Sequence, residues 1–537
     1  MKRIILYIGS FMMYTAVFSG CTADFLDRNN PGAITSEDVW NDAKLISQYV
    51  NSIYNDNTGW DRSHLISNIT DEGTYSVGHP VWQGQLDEVT NPLEYWAYSQ
   101  VRKANEFLVR IDGTPVDEAT KTTHKGEVRF LRALRYFNMV KRYGGVPLIT
   151  EPQALTDDLE TPRNTLDECF NFIITECDAA IPLLPETAAR GRATRDAARA
   201  LKGRALLYYA SPNCNPNSDR ERWKNAADAN RELIGKYELY PDLERLWLDN
   251  GNRESIFEVQ YALPLKSHGW DASLKMHRIA VGDARATVPV QEMVDAFPMK
   301  NGKSISDPAS GYDPAHPYEG RDNRFYAFIA FNGTTMKGMI GGVITAFELQ
   351  IYTGGIDFDG IPGAANTMTG YYVKKALDQD NTLYRMSYGS VQPWMEFRYA
   401  EILLSYAEAQ NEYLTAPDQS VCDALNLVRA RAGITENLTP ASLSKEQMRE
   451  LIHNERYVEL CYEQHRFWDL IRWKRLGRLN GMVRSGVVIT KHDDGTFTYA
   501  YGPVDPQPGN FQDKLYFLPF AQSELSRNSR LEQNPGW

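Results

Sequence analysis

The sequence predicts a mostly α-helical protein: a tetratricopeptide-like array of helix pairs with a large irregular, partly β insertion. Three observations lead there. Apolar residues recur at helical spacing mainly through 93–261 and again through 394–476. The Ala-rich helices come in pairs with short joints, so each pair buries its face only by stacking on the next. Between the two stretches, 262–393 loses that period and fills with Gly and Pro.

Taken in order, Thr35-Ser36-Glu37-Asp38 starts a helix with capping residues, and Val39, Trp40, Ala43 and Ile46 follow at helical spacing. From 55 to 92 the pattern dissolves into a long loop region rich in Gly, Asn, Asp and Thr. Helices are expected at Leu93–Ile111 and at Lys121–Tyr143, the latter stopped by Gly144-Gly145 before an extended Val146-Pro147-Leu148. Thr165–Leu184 opens with Thr165 and Glu168 spaced as a capping box; Thr194–Ala210 and Glu221–Lys236 follow. Within the insertion, Phe325–Phe331 reads as a strand. Helices resume at Trp394–Leu414, Ser420–Ala432 and Lys445–Leu476, and a loop-rich tail covers 477–537.

The first twenty residues read as a signal peptide: Lys2 and Arg3, an apolar run from Ile4 to Val17, then Phe18-Ser19-Gly20 before Cys21. Small residues ahead of a cysteine resemble a bacterial lipobox, with Phe18 where Leu is commonest. Cleavage before Cys21 and lipidation of its sulfur would anchor the remaining chain, 21–537, to a membrane as a single domain. The net charge of −12 argues against nucleic acid or anionic lipid as the main partner. Aromatic residues reach 12%, enough to furnish stacking platforms as well as a core. Cys169, Cys177, Cys214, Cys422 and Cys461 form no CxxC pair and are expected to be small buried residues.

Several segments together resemble the SusD/RagB family of outer-membrane nutrient-binding lipoproteins. They are Asp24-Phe-Leu-Asp27, the run from Glu127 to Ile149 ending in Arg142-Tyr-Gly-Gly-Val-Pro-Leu-Ile149, and Arg192-Ala-Thr-Arg-Asp-Ala-Ala-Arg-Ala-Leu201. Arg398-Tyr-Ala-Glu-Ile-Leu-Leu-Ser-Tyr-Ala-Glu-Ala409, Asn454-Glu-Arg-Tyr-Val-Glu-Leu460 with Arg466-Phe-Trp-Asp-Leu470, and Gln533-Asn-Pro-Gly-Trp537 complete the set. The resemblance implies a helical scaffold plus an irregular ligand-binding region, a place on the outer cell surface, and a SusC-type TonB-dependent transporter as partner. It implies an oligosaccharide ligand, no nucleic acid, no cofactor and no catalysis.

The motif residues themselves read as structural. Arg129, Arg132 and Arg135 share a helix with Glu127 and suit ion pairs within and between helices. Glu401, Glu408 and Glu412 fall on one helix, where arginine partners explain them better than glycoside hydrolysis, which needs two carboxylates across a cleft. Arg466, Trp468 and Asp469 read as packing support. Ligand contacts are expected in the two irregular regions, since a sugar's C–H face packs on aromatic planes and its hydroxyls need planar polar partners. The candidates are Trp60, Tyr75, Trp82, Asn91, Tyr95 and Trp96 in the first region, and Trp270, Tyr312, Tyr352 and Trp394 in the second. Trp82 and Trp270 stand out for their Gly and polar flanks. Asp357 and Asp359 in a Gly-rich turn are weak calcium candidates. Two rival readings stay open: a scaffold or lid that holds the transporter closed with little ligand affinity of its own, and capture of peptide rather than glycan.

Overall fold

The computed structural model describes residues 36–55, 59–60, 66–75, 79–154, 156–274, 287–340, 342–358, 367–382 and 389–537. The signal segment, Cys21 and Asp359 lie outside the described residues. No described helix is long and apolar enough to cross a membrane.

The described residues begin with α1 (Ser36–Asn41) and α2 (Ala43–Tyr54), parted at Asp42, whose carboxylate caps α2 through the N–H groups of Lys44 and Leu45. The two-residue β1 (Gly73–Thr74) follows. The array proper is α3 (Tyr98–Arg110), α4 (Glu118–Tyr143), α5 (Leu166–Ala180), α6 (Arg195–Ala210) and α7 (Arg220–Arg231). Local chemistry sets most of the starts: Asp117, Thr194 and Asp219 cap their helices, and Thr165 with Glu168 closes the expected capping box.

Gly144 ends α4 at φ 73°. At Gly145 a Cβ would lie 2.0 Å from the Asn164 carbonyl oxygen. Gly145→Ala is therefore expected to cost about 2 kcal/mol or more, read as a lower denaturation midpoint, because a backbone atom must move.

From α7 the chain leaves the array. It forms β2 (Ser255–Val259), α8 (Trp270–Ser273), β3 (Val288–Pro289), α9 (Gln291–Ala296), α10 (Asn323–Phe328) and β4 (Ile329–Ala330). The hairpin β5 (Thr335–Ile340)–β6 (Val343–Glu348), β7 (Tyr372–Val373) and β8 (Trp394–Arg398) complete the insertion. The array then resumes with α11 (Tyr399–Tyr413), which packs directly on α7, and with α12 (Gln419–Arg431) and α13 (Lys445–Glu459), which pack on α11. α14 (Arg466–Arg472), the hairpin β9 (Ser485–Lys491)–β10 (Phe497–Pro503) and α15 (Gln522–Leu525) finish the fold. The described strands form five antiparallel pairs; β1–β3, β2–β8 and β4–β7 join segments distant in sequence.

Four expectations change. Trp394–Arg398 is a strand, not the start of a helix, because it pairs with β2; the helix begins only at Tyr399. Lys445–Leu476 is two helices, broken where Tyr462 and Gln464 take positive φ. Phe325–Phe331 is mostly the Asp322-capped helix α10, with strand only at Ile329–Ala330. The helix expected from Leu93 starts at Tyr98.

Two cores result. One lies among the array helices and takes in α2, α14 and part of the tail. The other lies under the insertion and gathers Trp60, Trp247, Trp270, Trp394, Phe325 and Tyr371 with Val487 and Ile489 of β9. Cys169, Cys177, Cys214, Cys422 and Cys461 are free and buried.

The motif arginines stitch helices together. Arg129 and Arg132 of α4 both grip Glu176 of α5, and Arg135 donates to the Ile53 carbonyl. Glu127 pairs with Arg192 and with His124 of its own helix. Glu401 takes Arg204 of α6, Glu408 takes Arg472 of α14, and Glu412 takes Arg449 of α13. These glutamates point at arginines rather than at one another across a cleft. Asp469 holds Arg456 and Arg472, Arg466 holds Asp71, and Trp468 is buried with Lys141 and Arg142 over its ring.

Candidate functional site

The hairpin β9–β10 builds the site. Its register places Tyr499 opposite Ile489, Tyr501 opposite Val487 and Phe497 opposite Lys491. Directly paired residues of an antiparallel ladder share a face, so the three aromatics lie beside Val487 and Ile489. β9 carries that face into the insertion core, where Val487 and Ile489 are buried. β10 is the outer strand, and its rings stay partly in solvent: Phe497 and Tyr499 are half-buried and Tyr501 is 46% exposed.

Two of the expected candidates join this row. Tyr352 packs on Phe497 with ring centroids 5.8 Å apart, and the Lys491 ammonium lies 5.2 Å above the Tyr352 ring. Tyr312 lies close enough to Tyr501 for the two phenols to influence each other and has the Arg321 guanidinium 6.0 Å from its ring. Behind them Tyr499 stands edge-on to Tyr318 at 5.6 Å, and Tyr318 backs onto Phe331 and Tyr371. The rings are therefore held from below. Burial, reinforced by Tyr312, raises the Tyr501 phenol, and burial also raises that of Tyr312. Both hydroxyls stay protonated at neutral pH and can donate as well as accept.

Alternate residues of one strand repeat at about 6.8 Å. The result is a firm row of half-exposed ring faces, Tyr352–Phe497–Tyr499–Tyr501–Tyr312, with hydroxyls and charged groups at its rim. Such a row suits an extended ligand with alternating apolar faces and hydroxyls. The sequence reading missed Phe497, Tyr499 and Tyr501. Their signal was the alternation Phe497-Thr-Tyr-Ala-Tyr501 within the loop-rich tail.

The other candidates lie elsewhere. Trp60 and Trp394 are buried against Trp247 in the insertion core, Trp270 is buried against Trp60, and the indole N–H groups of Trp60, Trp270 and Trp394 bond Gln392 O, Lys375 O and Glu396 Oε2. Trp82 is fully buried between Arg484, 4.2 Å over its ring, and Phe511, and donates to Gln507 O. Tyr95 is buried beneath Arg142. Trp96 is half-buried against Tyr98, Tyr143 and Phe520 on the helical side. Asn91 spends its carbonyl on the Leu93 N–H in a turn. Tyr75 is half-buried beside His79 at the end of β1. Trp82 and Trp270 are thus packed inside in this arrangement and do not join the half-exposed row. Asp357 is buried and braces its turn by accepting from the Gln350 N–H at 2.7 Å. Among the described residues no group of three or more His, Cys, Asp or Glu could hold a metal.

Comparison with known proteins fits this architecture. Residues 253–537 match the model of the SusD family. The chain belongs to that family. Residues 24–207 match a second model, described as starch-binding associating with outer membrane. This SusD-family chain is 23% identical to the SusD-like protein P2 of Formosa agariphila, over 98% of the chain and 99% of the relative. It superposes on the crystal structure of a SusD-like protein from Bacteroides fragilis with a TM-score of 0.78 at 30% identity, covering 94% of this chain and 99% of that one. A structure named laminarin binding SusD-like protein shares the fold at a TM-score of 0.65 and 21% identity, covering 93% of this chain and 100% of its own.

Proposed function

We propose that this SusD-family chain is a surface lipoprotein that captures an oligosaccharide on the row Tyr352–Phe497–Tyr499–Tyr501–Tyr312. It would then deliver that ligand, without turnover, to a TonB-dependent outer-membrane transporter. The observation that carries the reading is the row itself: partly exposed rings held from below, with phenolic donors at one end. Family membership and the laminarin-binding neighbour support the glycan class. The outer-membrane description of the second matching model supports the location, and the lipobox-like Cys21 supports the anchor.

The test is calorimetric titration of the purified chain with a panel of oligosaccharides and peptides. One class should bind saturably, with unchanged ligand recovered afterwards. Tyr499→Ala with Tyr501→Ala should weaken binding roughly tenfold to a hundredfold, about 1.5–3 kcal/mol for two rings, while leaving the melting temperature nearly unmoved. Trp82→Ala and Trp270→Ala should act the other way round: each loses about 3–5 kcal/mol of stability, since each empties a packed interior site. Peptide binding on the same rings would replace glycan with peptide. Full binding by the double Tyr variant would remove the row from the mechanism.

A further inference from the structure

A second feature shares none of this row's five residues. A cleft of about 980 Å³ opens between the 241–248 segment and the 377–380 turn, with α10 along its floor and Lys337 of β5 on its wall. That volume is at the upper end of what small-molecule sites enclose.

The cations in this cleft are matched. Lys374 pairs with Glu244 at 2.7 Å, Lys337 with Asp380 at 3.2 Å, and Arg431 with Glu254 at 2.5 Å and with Glu459. Each cation that lines the cleft has its countercharge within the protein, while Asp242 and Asp378 of the lining accept only backbone N–H groups among the described residues, so the field left over is acidic and repels an anion. The overall charge of −12 further disfavours an acidic ligand. What the pairs do offer is hydrogen-bonding capacity. Lys374 spends two of its three donors, on Glu244 and on the Tyr326 carbonyl, and the carboxylates keep lone pairs. Gln379 uses its carbonyl oxygen on the Lys337 N–H, which turns its amide NH₂ toward other partners. Arg431 reaches the cleft, but its guanidinium is spent on Glu254 and Glu459 behind it. The apolar part of the lining includes Leu248, Ala327, Leu377 and the half-buried Tyr326, whose hydroxyl is spent on the Tyr318 carbonyl.

We infer that this cleft is a second saccharide subsite, specific for uncharged sugar chains. A hydroxyl both donates and accepts, so it can bridge a matched ammonium–carboxylate pair, where a carboxylated sugar would meet an anion already in place. The inference rests on the glycan reading for the class of ligand, but on different residues.

The test titrates the purified full chain with laminarihexaose, maltohexaose, xylohexaose and the anionic hexagalacturonate. Lys337 is exposed and Gln379 lies on the surface turn, so Lys337→Ala with Gln379→Ala should fold normally, with circular dichroism melting as the control. The expected result is at least a tenfold loss of affinity for the neutral hexasaccharide that binds, roughly multiplicative with Tyr501→Ala, and no binding of hexagalacturonate. A cleft variant within twofold of wild type on every neutral sugar overturns the inference, as does selective loss of hexagalacturonate. Loss in Tyr501→Ala alone sinks the subsite and leaves the aromatic row standing. Loss in the cleft variant alone does the reverse. If none of the sugars binds, both readings fall.

Discussion

Arg398→Ala should destabilise the chain by roughly 3–5 kcal/mol, the cost of stripping one partner from a buried charge network. Arg398 ends β8 and is 1% exposed. Its Nε bonds Glu463 at 2.7 Å, its guanidinium reaches Glu254 at 2.7 Å and Glu459 at 2.8 Å, and it also donates to the Glu459 carbonyl. Arg431 and Arg324 share the same glutamates, and Lys375 takes Glu463. The network lies where the insertion meets the array: β8 brings Arg398, α13 brings Glu459, and the break after it brings Glu463. Removing the guanidinium leaves three buried carboxylates short of charge and donors. Burial by itself raises the Glu459 carboxyl, but Arg431, Arg398 and Arg324 together hold it well below the usual range. That stabilisation is present above the ordinary carboxylate pKa and is lost as pH falls. Urea unfolding at pH 7 measures the effect. A midpoint within error of wild type would mean that the apolar cores alone hold the insertion in place.

Glu72 should make the fold less stable as pH rises, opposite to the effect of the network glutamates. It precedes β1 and is fully buried. Its Oε1 accepts from the Tyr462 N–H at 3.2 Å, and its carbonyl accepts from the Tyr462 hydroxyl at 3.1 Å. Burial, with help from Asp71 and against the pull of Ser67 and Arg466, pushes its carboxyl up from 4.5 to about 8. Below pH 4.5 both folded and unfolded chains hold the proton, and Glu72 makes no difference. Between 4.5 and 8 the unfolded chain ionises while the folded one keeps its proton, so stability falls with each rise in pH. The full penalty, on the order of 5 kcal/mol, is reached above pH 8. Glu72→Gln should therefore match wild type near pH 4.5 and exceed it at pH 8. Parallel unfolding midpoints for the two proteins from pH 4.5 to 8.5 would show that Glu72 is ionised in the folded chain.

The local features of the fold were legible because their causes are local. Thr165 and Glu168 close a capping box four residues long, Thr194 caps α6, and Gly144 stops α4 because a left-handed turn is needed within one residue. The family was legible from motifs that turn out to be inter-helix ion pairs, such as those of Arg132 and Glu408. Boundaries failed where a distant strand intervened: Trp394–Arg398 is helical in its pattern but extended because Ser255–Val259 lies beside it.

The site divides in the same way. Sequence by itself determined where aromatic residues and loss of helical period coincide; Tyr312 and Tyr352 come from those regions, whereas Phe497, Tyr499 and Tyr501 of the row come from the tail. Only the tertiary structure decided which rings face solvent. Trp82 has Gly and polar neighbours in sequence, yet Arg484, Gln507 and Phe511 enclose it from the far end of the chain. Tyr499 and Tyr501 sit in a tail that reads as loop, yet pairing with β9 aligns them beside Tyr318 and Tyr312. Caps and helical periods act through neighbours a few residues away, whereas burial is set by whichever segments pack on top, and those are remote in sequence.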